Sequence, residues 1–141
     1  MYGYAGRILR VDLSRRTLTP EGLGRELADN FLGGRGFCAA ILYERTRPGV
    51  DPLSPESVVV MATGPLVATG VTTGTRLVIG ARSPLTGTIA DSDLGGYFAP
   101  ELKKAGFDAV ILEGAAEVPV YICIGDGEAE LRPASHLWGL E

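Results

Sequence analysis

The chain is poor in the side chains that most often do chemistry. Among 141 residues it has one histidine, one tryptophan and two cysteines. A single His136 and no HExxH run leave the common zinc centres and Ser–His–Asp or Cys–His triads without enough members. Cys38 and Cys123 are far apart, lie in apolar surroundings and fit no metal-ligand spacing, so they read as two buried, reduced thiols. No apolar run is long enough to span a bilayer. The opening MYGYAGRILRVDLS has no signal-peptide core, and the default expectation is a cytoplasmic protein with no membrane contact. Positive charge is scarce too. Thirteen Lys and Arg against 17 Asp and Glu give a net charge of −4, which argues against a nucleic-acid partner. No spacing matches a P-loop or a dinucleotide fingerprint.

What is present is glycine. There are 20 in the chain, about twice the usual share. Hydrophobic residues at 45 % and charged residues at 21 % fit a folded domain of ordinary size. The glycines concentrate between Gly64 and Gly96, interleaved with threonines, two prolines (Pro65, Pro84), Arg76, Arg82, Asp91 and Asp93. Glycine lets neighbouring N–H groups converge and lets a ligand approach the main chain. Hydroxyls and arginines add donors, so a flat, phosphate-bearing ligand suits this stretch. A set of ordinary tight turns in a small β-rich domain explains the same composition, and both readings stand at this point.

The remaining chain reads as short elements. Gly6–Leu13 and Thr17–Thr19 predict an N-terminal hairpin around Ser14-Arg15-Arg16. Pro20 and Gly22 break it. Helices are expected over Glu26–Leu32 and Phe37–Arg45. The Gly33-Gly34-Arg35-Gly36 loop between them is either an anion site at a helix start, with Arg35 as a donor, or a simple reversal with Arg35 solvated or paired to a carboxylate. A Pro-rich loop (48–56) precedes a buried strand, Ser57–Ala62. Further strands are expected at Arg76–Ala81 and Gly87–Ala90. A helix is expected over Gly95–Ala105, with Asp93, Gly95 and Gly96 at its start and Pro100 in its first turn. Asp108–Glu113 and Val118–Ile124 read as strands, and Gly125-Asp126-Gly127 as a hairpin turn before Glu128–Arg132. Asp91 and Asp93 would share a face in a strand and could hold a cation; in a loop they would be turn formers or caps. The tail from Ala134 to Glu141 begins like an amphipathic helix, which suggests a chain continuing into something longer. The fold expected is α+β, with a mixed or mainly antiparallel sheet and a few short helices.

Several motifs carry a family resemblance: YGYAGRILRVDLS, FLGGRGF, DPLSPES, ATGPLVATG, TGTRLVIGARSPLTG, DSDLGGYFAPELKKAGFDAVILEG, PVYICI and ASHLWG. Together they cover nearly the whole chain in order. The chain resembles the N-terminal domain of the aldehyde ferredoxin oxidoreductase family of tungstopterin enzymes. The resemblance implies a cofactor of tungsten (or molybdenum) held by two pyranopterins, with magnesium bridging their phosphates and a 4Fe–4S cluster beside it. It implies oxidation of a small aldehyde to a carboxylic acid, with electrons passed to ferredoxin. Arg76 matches a pterin-binding arginine. Gly95 matches a glycine whose main chain touches the pterin, with Gly96 beside it. Asp93 stands where many members have Asn, at a position that touches the pterin and offers its main-chain carbonyl to the magnesium.

The resemblance also says what to expect elsewhere. Residues 1–141 correspond to the first half of an internally duplicated platform domain. The second pterin half, the cluster cysteines and the catalytic acid/base groups belong to later sequence, so no catalytic residue is expected in this segment. Cys38 and Cys123 do not match the cluster ligands. The expected partners are the rest of the enzyme chain and ferredoxin, with a homo-oligomer possible. The alternative is a stand-alone pterin- or phosphate-binding protein or accessory subunit without catalysis.

Overall fold

The computed structural model describes residues 2–140. Eight strands and three helices follow in the order β1 (Arg7–Asp12), β2 (Thr17–Gly22), α1 (Arg25–Phe31), α2 (Arg35–Arg45), β3 (Val58–Thr63), β4 (Leu77–Arg82), β5 (Ile89–Leu94), α3 (Phe98–Lys104), β6 (Ala109–Glu113), β7 (Val120–Gly125) and β8 (Glu128–Pro133). Six strands form one sheet in the order β2-β1-β6-β3-β4-β5, and β7–β8 form a separate hairpin. The β1–β6 pair is parallel and every other pair is antiparallel. The fold is α+β with a mainly antiparallel sheet, as the sequence predicts.

The runs Val58–Ala62 and Ala109–Leu112 are continuously apolar because both faces of the sheet's centre are covered. On one face Ile8, Val58, Val60, Ala62, Val78 and Ile111 pack under α1 and α2 with Phe37, Cys38 and Ile41. On the other Leu9, Val11, Leu77 and Val110 pack with Phe107, Leu102 of α3 and the inner face of the β7–β8 hairpin. Gly80 lies directly beneath α2, where a Cβ would stand 2.7 Å from the Cys38 Cβ. Asp126 and Gly127 both have positive φ, 49° and 83°, which suits a two-residue hairpin turn.

The N-terminus is fastened by a buried charge. Asp108 accepts from the N–H groups of Ala5 and Gly6 at 3.0 and 2.7 Å. Lys103 donates to the same carboxylate and to the Gly3 carbonyl. Both side chains are buried, Asp108 completely.

Six expectations are corrected. β2 continues through Pro20 to Gly22, which an edge strand tolerates because no ladder partner needs the missing N–H. The helix expected at Phe37 begins at Arg35. The strand expected over Gly87–Ala90 lies instead at Ile89–Leu94, because β4 supplies pairing partners as far as Leu77. Asp93 is therefore on a strand and not at a helix start, and α3 begins only at Phe98, with Gly95 and Gly96 in the connecting loop. The tail at 135–139 is a series of turns, not a helix. Cys38 is buried, but Cys123 is only half-buried on the hairpin.

Candidate functional site

The sheet has two unlike edges. β5 forms one of them, and all six of its residues are exposed. Its ladder with β4 fixes which way each group points. The Ser83 N–H donates to the Thr88 carbonyl at 2.8 Å, so bonded and non-bonded pairs alternate from there along the register. Ala90, Ser92 and Leu94 turn their main-chain groups to β4. Ile89, Asp91 and Asp93 turn theirs outward. The Asp93 carbonyl thus lies on the free edge, beyond the reach of the sheet.

The four residues singled out from sequence meet at one end of this ladder. Arg76 immediately precedes β4, and continuing the register sets it opposite Gly95. Asp93 pairs with Val78, two residues inside. Gly96 follows with φ 94°, a conformation that favours glycine. No atom lies within 4 Å of where a Cβ on Gly95 or Gly96 would stand. Gly95 has neither a positive φ nor a neighbour to avoid, so nothing inside the chain calls for its missing side chain. Arg76 is exposed and has no side-chain bond within the described residues.

The glycine loop ahead of α2 reaches the same end. A Cβ on Gly33 (φ 137°) would stand 2.6 Å from the Thr63 carbonyl and 2.9 Å from the Gly64 Cα. The Gly34 N–H donates to the Thr63 carbonyl at 2.9 Å. Two main-chain segments are thereby pressed together, and Arg35 is carried over the β5 edge. Its Nε and Nη2 meet one oxygen of Asp91 at 2.8 and 2.7 Å, and Nη2 lies 3.6 Å from Asp93. The hydrogen bond to Asp91, then the charges of Asp91 and Asp93, raise the Arg35 pKa. Of the two readings of this loop, Arg35 paired to a carboxylate is the one observed. Asp91 and Asp93 share a strand face, and an arginine occupies it.

This end is a ledge, not a pocket. The best-formed surface clefts of the described residues lie elsewhere, for example between Arg10, Arg45 and Glu113 and between α3 and β7–β8, and none of these is lined by Arg76, Asp93, Gly95 or Gly96. Chemically, the ledge offers a guanidinium with its donors free, an outward carbonyl and a strip of bare backbone. An anionic, planar group with an attached cation fits such a set: guanidinium to phosphate, carbonyl to cation, flat ring to glycine. A small-molecule site normally encloses most of its ligand, so a ledge of this kind needs a second surface above it. The pairing of Arg35 with Asp91 spans 56 residues and leaves no local signal; only the shared alternation of Asp91 and Asp93 hints at it.

Comparison with known proteins supplies the family. The family model described as "Aldehyde ferredoxin oxidoreductase, N-terminal domain" matches residues 8–141. The tungsten-containing aldehyde ferredoxin oxidoreductase of Pyrococcus horikoshii is 50 % identical over 139 residues, covering 99 % of this chain and 23 % of that protein. Its counterpart from Pyrococcus furiosus is 49 % identical over the same coverage. A solved structure of the active site complex BamBC of benzoyl coenzyme A reductase with 1,5-dienoyl-CoA superposes with a TM-score of 0.95 at 38 % identity, over 98 % of this chain and 21 % of that one. This chain spans less than a quarter of the length of the curated relatives it matches. On the match of all but its first seven residues, the chain belongs to the aldehyde ferredoxin oxidoreductase family.

Proposed function

We propose that residues 1–141 form half of the pterin-bearing platform of a tungsten-dependent aldehyde:ferredoxin oxidoreductase. The observation that carries this reading is the convergence of Arg76, the outward Asp93 carbonyl and the bare Gly95–Gly96 backbone at one end of β4–β5. Arg76 holds a pterin phosphate through its free guanidinium donors. The Asp93 carbonyl would be a ligand to the cofactor's magnesium, and the loop at Gly95 and Gly96 would let the ring system lie against main chain. The covered sheet behind them keeps this edge rigid, so the cofactor is oriented before substrate arrives. When bound, the cofactor supplies the oxidation of an aldehyde and water to a carboxylic acid, its two electrons leaving through a 4Fe–4S cluster to ferredoxin. This segment contributes no acid/base group and no cluster ligand to that step. Those groups, the second pterin surface and the ferredoxin contact belong to the rest of the enzyme, in the cytoplasm.

The test is metal content. In the holoenzyme containing this segment, Arg76→Ala should lower the tungsten bound per polypeptide. Unchanged tungsten overturns the reading.

A second reading has one observation behind it, the 0.95 TM-score to a benzoyl coenzyme A reductase complex. In that case the same ledge serves a reductase acting on a coenzyme A thioester. The higher identity to the aldehyde enzymes, 50 % against 38 %, favours the first. Assaying the holoenzyme for aldehyde oxidation and for benzoyl-CoA reduction separates the two.

A further inference from the structure

The ledge that suits an anionic group carries two carboxylates of its own. Asp91 and Asp93 lie on one face of β5, with side chains 26 % and 44 % exposed. Both reach the same Arg35 Nη2, at 2.7 and 3.6 Å, so their charges act on the same side of the ledge. Uncompensated, they would repel any phosphate that Arg76 attracts. One cation faces them. Arg35 is tied to Asp91 through Nε and Nη2 and approaches Asp93 with Nη2, and its Nη1 remains free of both.

We propose that Arg35 is the counter-ion that keeps the β5 edge compatible with an anionic cofactor: it cancels the charge of Asp91 and Asp93 where the phosphates approach. The inference rests on the platform reading above. With Arg35 in place, the local set of Arg35, Arg76, Asp91 and Asp93 sums to zero before the cofactor arrives. Without it the set carries −1 on the side where phosphate must sit. Arg35 is thus a positioning residue acting through the two aspartates. Its place is set by the Gly33–Gly34 backbone pressed onto Thr63–Gly64. A mere fastener between α2 and β5 would use the same geometry, but it would not depend on the sign of the charges.

The experiment uses the holoenzyme and reads tungsten per polypeptide and released pterin fluorescence, at low and high salt. Arg35→Gln should lower both several-fold at low salt, with the deficit shrinking as salt rises. Adding Asp91→Asn to Arg35→Gln returns the local sum to zero and should restore parental content. Asp91→Asn in the presence of Arg35 should match or exceed the parent. Parental content in Arg35→Gln, or a double variant as depleted as Arg35→Gln, overturns the proposal. Should Arg35→Gln fail to fold, Asp91→Asn alone decides: content at or above parental supports the counter-ion role, and a loss overturns it. Arg76→Ala separates the two levels. If it lowers tungsten while Arg35→Gln does not, only the counter-ion role falls; if it has no effect, the platform falls and this role with it.

Discussion

Two charged clusters in this small domain obey opposite rules. Around Asp108 every polar group is spoken for within the chain. The carboxylate takes two backbone N–H groups and the Lys103 ammonium, and the ammonium also reaches the Gly3 carbonyl. Around β5 the donors and acceptors are left over: among the described residues Arg76 has no partner, the Asp93 carbonyl points away from the sheet, and part of the Arg35 guanidinium is unused. A buried polar cluster must be satisfied internally or the fold pays for it. An exposed one is free to be satisfied by something else. The first cluster is therefore explained by folding. The second is satisfied by water, and the proposed platform role gives it a partner.

Breaking the buried cluster should give the largest effect. Asp108→Ala strips two N–H groups of their acceptor and leaves Lys103 charged and buried, a loss of about 3–5 kcal/mol by analogy with other broken buried pairs. Lys103→Met should cost less, because Asp108 keeps its two backbone donors. Denaturant unfolding measures both. A loss for Asp108→Ala no larger than for a typical surface change would mean that the cluster is not the fastening it looks like.

Two glycines sharpen the contrast. Gly80 faces the Cys38 Cβ at 2.7 Å from where its own would stand, whereas no atom approaches that point at Gly95. Gly80→Ala should destabilise by about 1–3 kcal/mol through overpacking. Gly95→Ala should stay within about 0.5 kcal/mol of the parent, as surface changes do, yet lower the tungsten content of the holoenzyme. An equal loss of stability at both positions, measured by thermal unfolding, would erase the distinction between a glycine needed by the fold and one needed by a ligand.

The sequence made the buried half of this picture legible and the exposed half only partly so. Val58–Ala62 and Ala109–Leu112 announce themselves as strands because both faces are apolar and their alternation is suppressed. β5 does not. Asp91, Ser92 and Asp93 are poor strand formers, and they pair only because Leu77–Arg82 runs alongside. The same long-range pairing decides where Asp93 points, so a reading that sets Asp93 at a helix start loses the direction of its carbonyl. Arg76, Gly95 and Gly96 are candidates through the family motif alone, since turn composition leaves ordinary turns as an explanation of the same residues. The Arg35–Asp91 contact joins residues 56 apart, and neither period nor motif links them. Folding onto β4 brings them together.

The smallest expected effect concerns the two thiols, which differ in the same way as the two clusters. Cys38 is buried between α2 and Gly80 of the sheet, and its S–H is directed at the Val60 and Val78 carbonyls at 3.5 and 3.6 Å. Burial, opposed in part by a backbone hydrogen bond, pushes this thiol up from 9.0 to about 11. The thiolate would have to face those two carbonyl oxygens without water, so the protonated form is the one the fold accepts. Cys123 is only half-buried on β7. At pH 8 a thiol reagent should therefore modify Cys123 in the native protein and Cys38 only after unfolding. The linkage has a definite sign. The folded state holds the Cys38 proton where the unfolded state has begun to lose it, so the contribution is fully present below pH 9.0 and is lost as the pH rises towards about 11. Cys38→Ala should flatten that part of the stability–pH curve and leave the curve below it with the same slope. Rapid native modification of both thiols would show that α2 does not seal this face of the sheet, and the rigidity assigned to the β4–β5 edge would lose its basis.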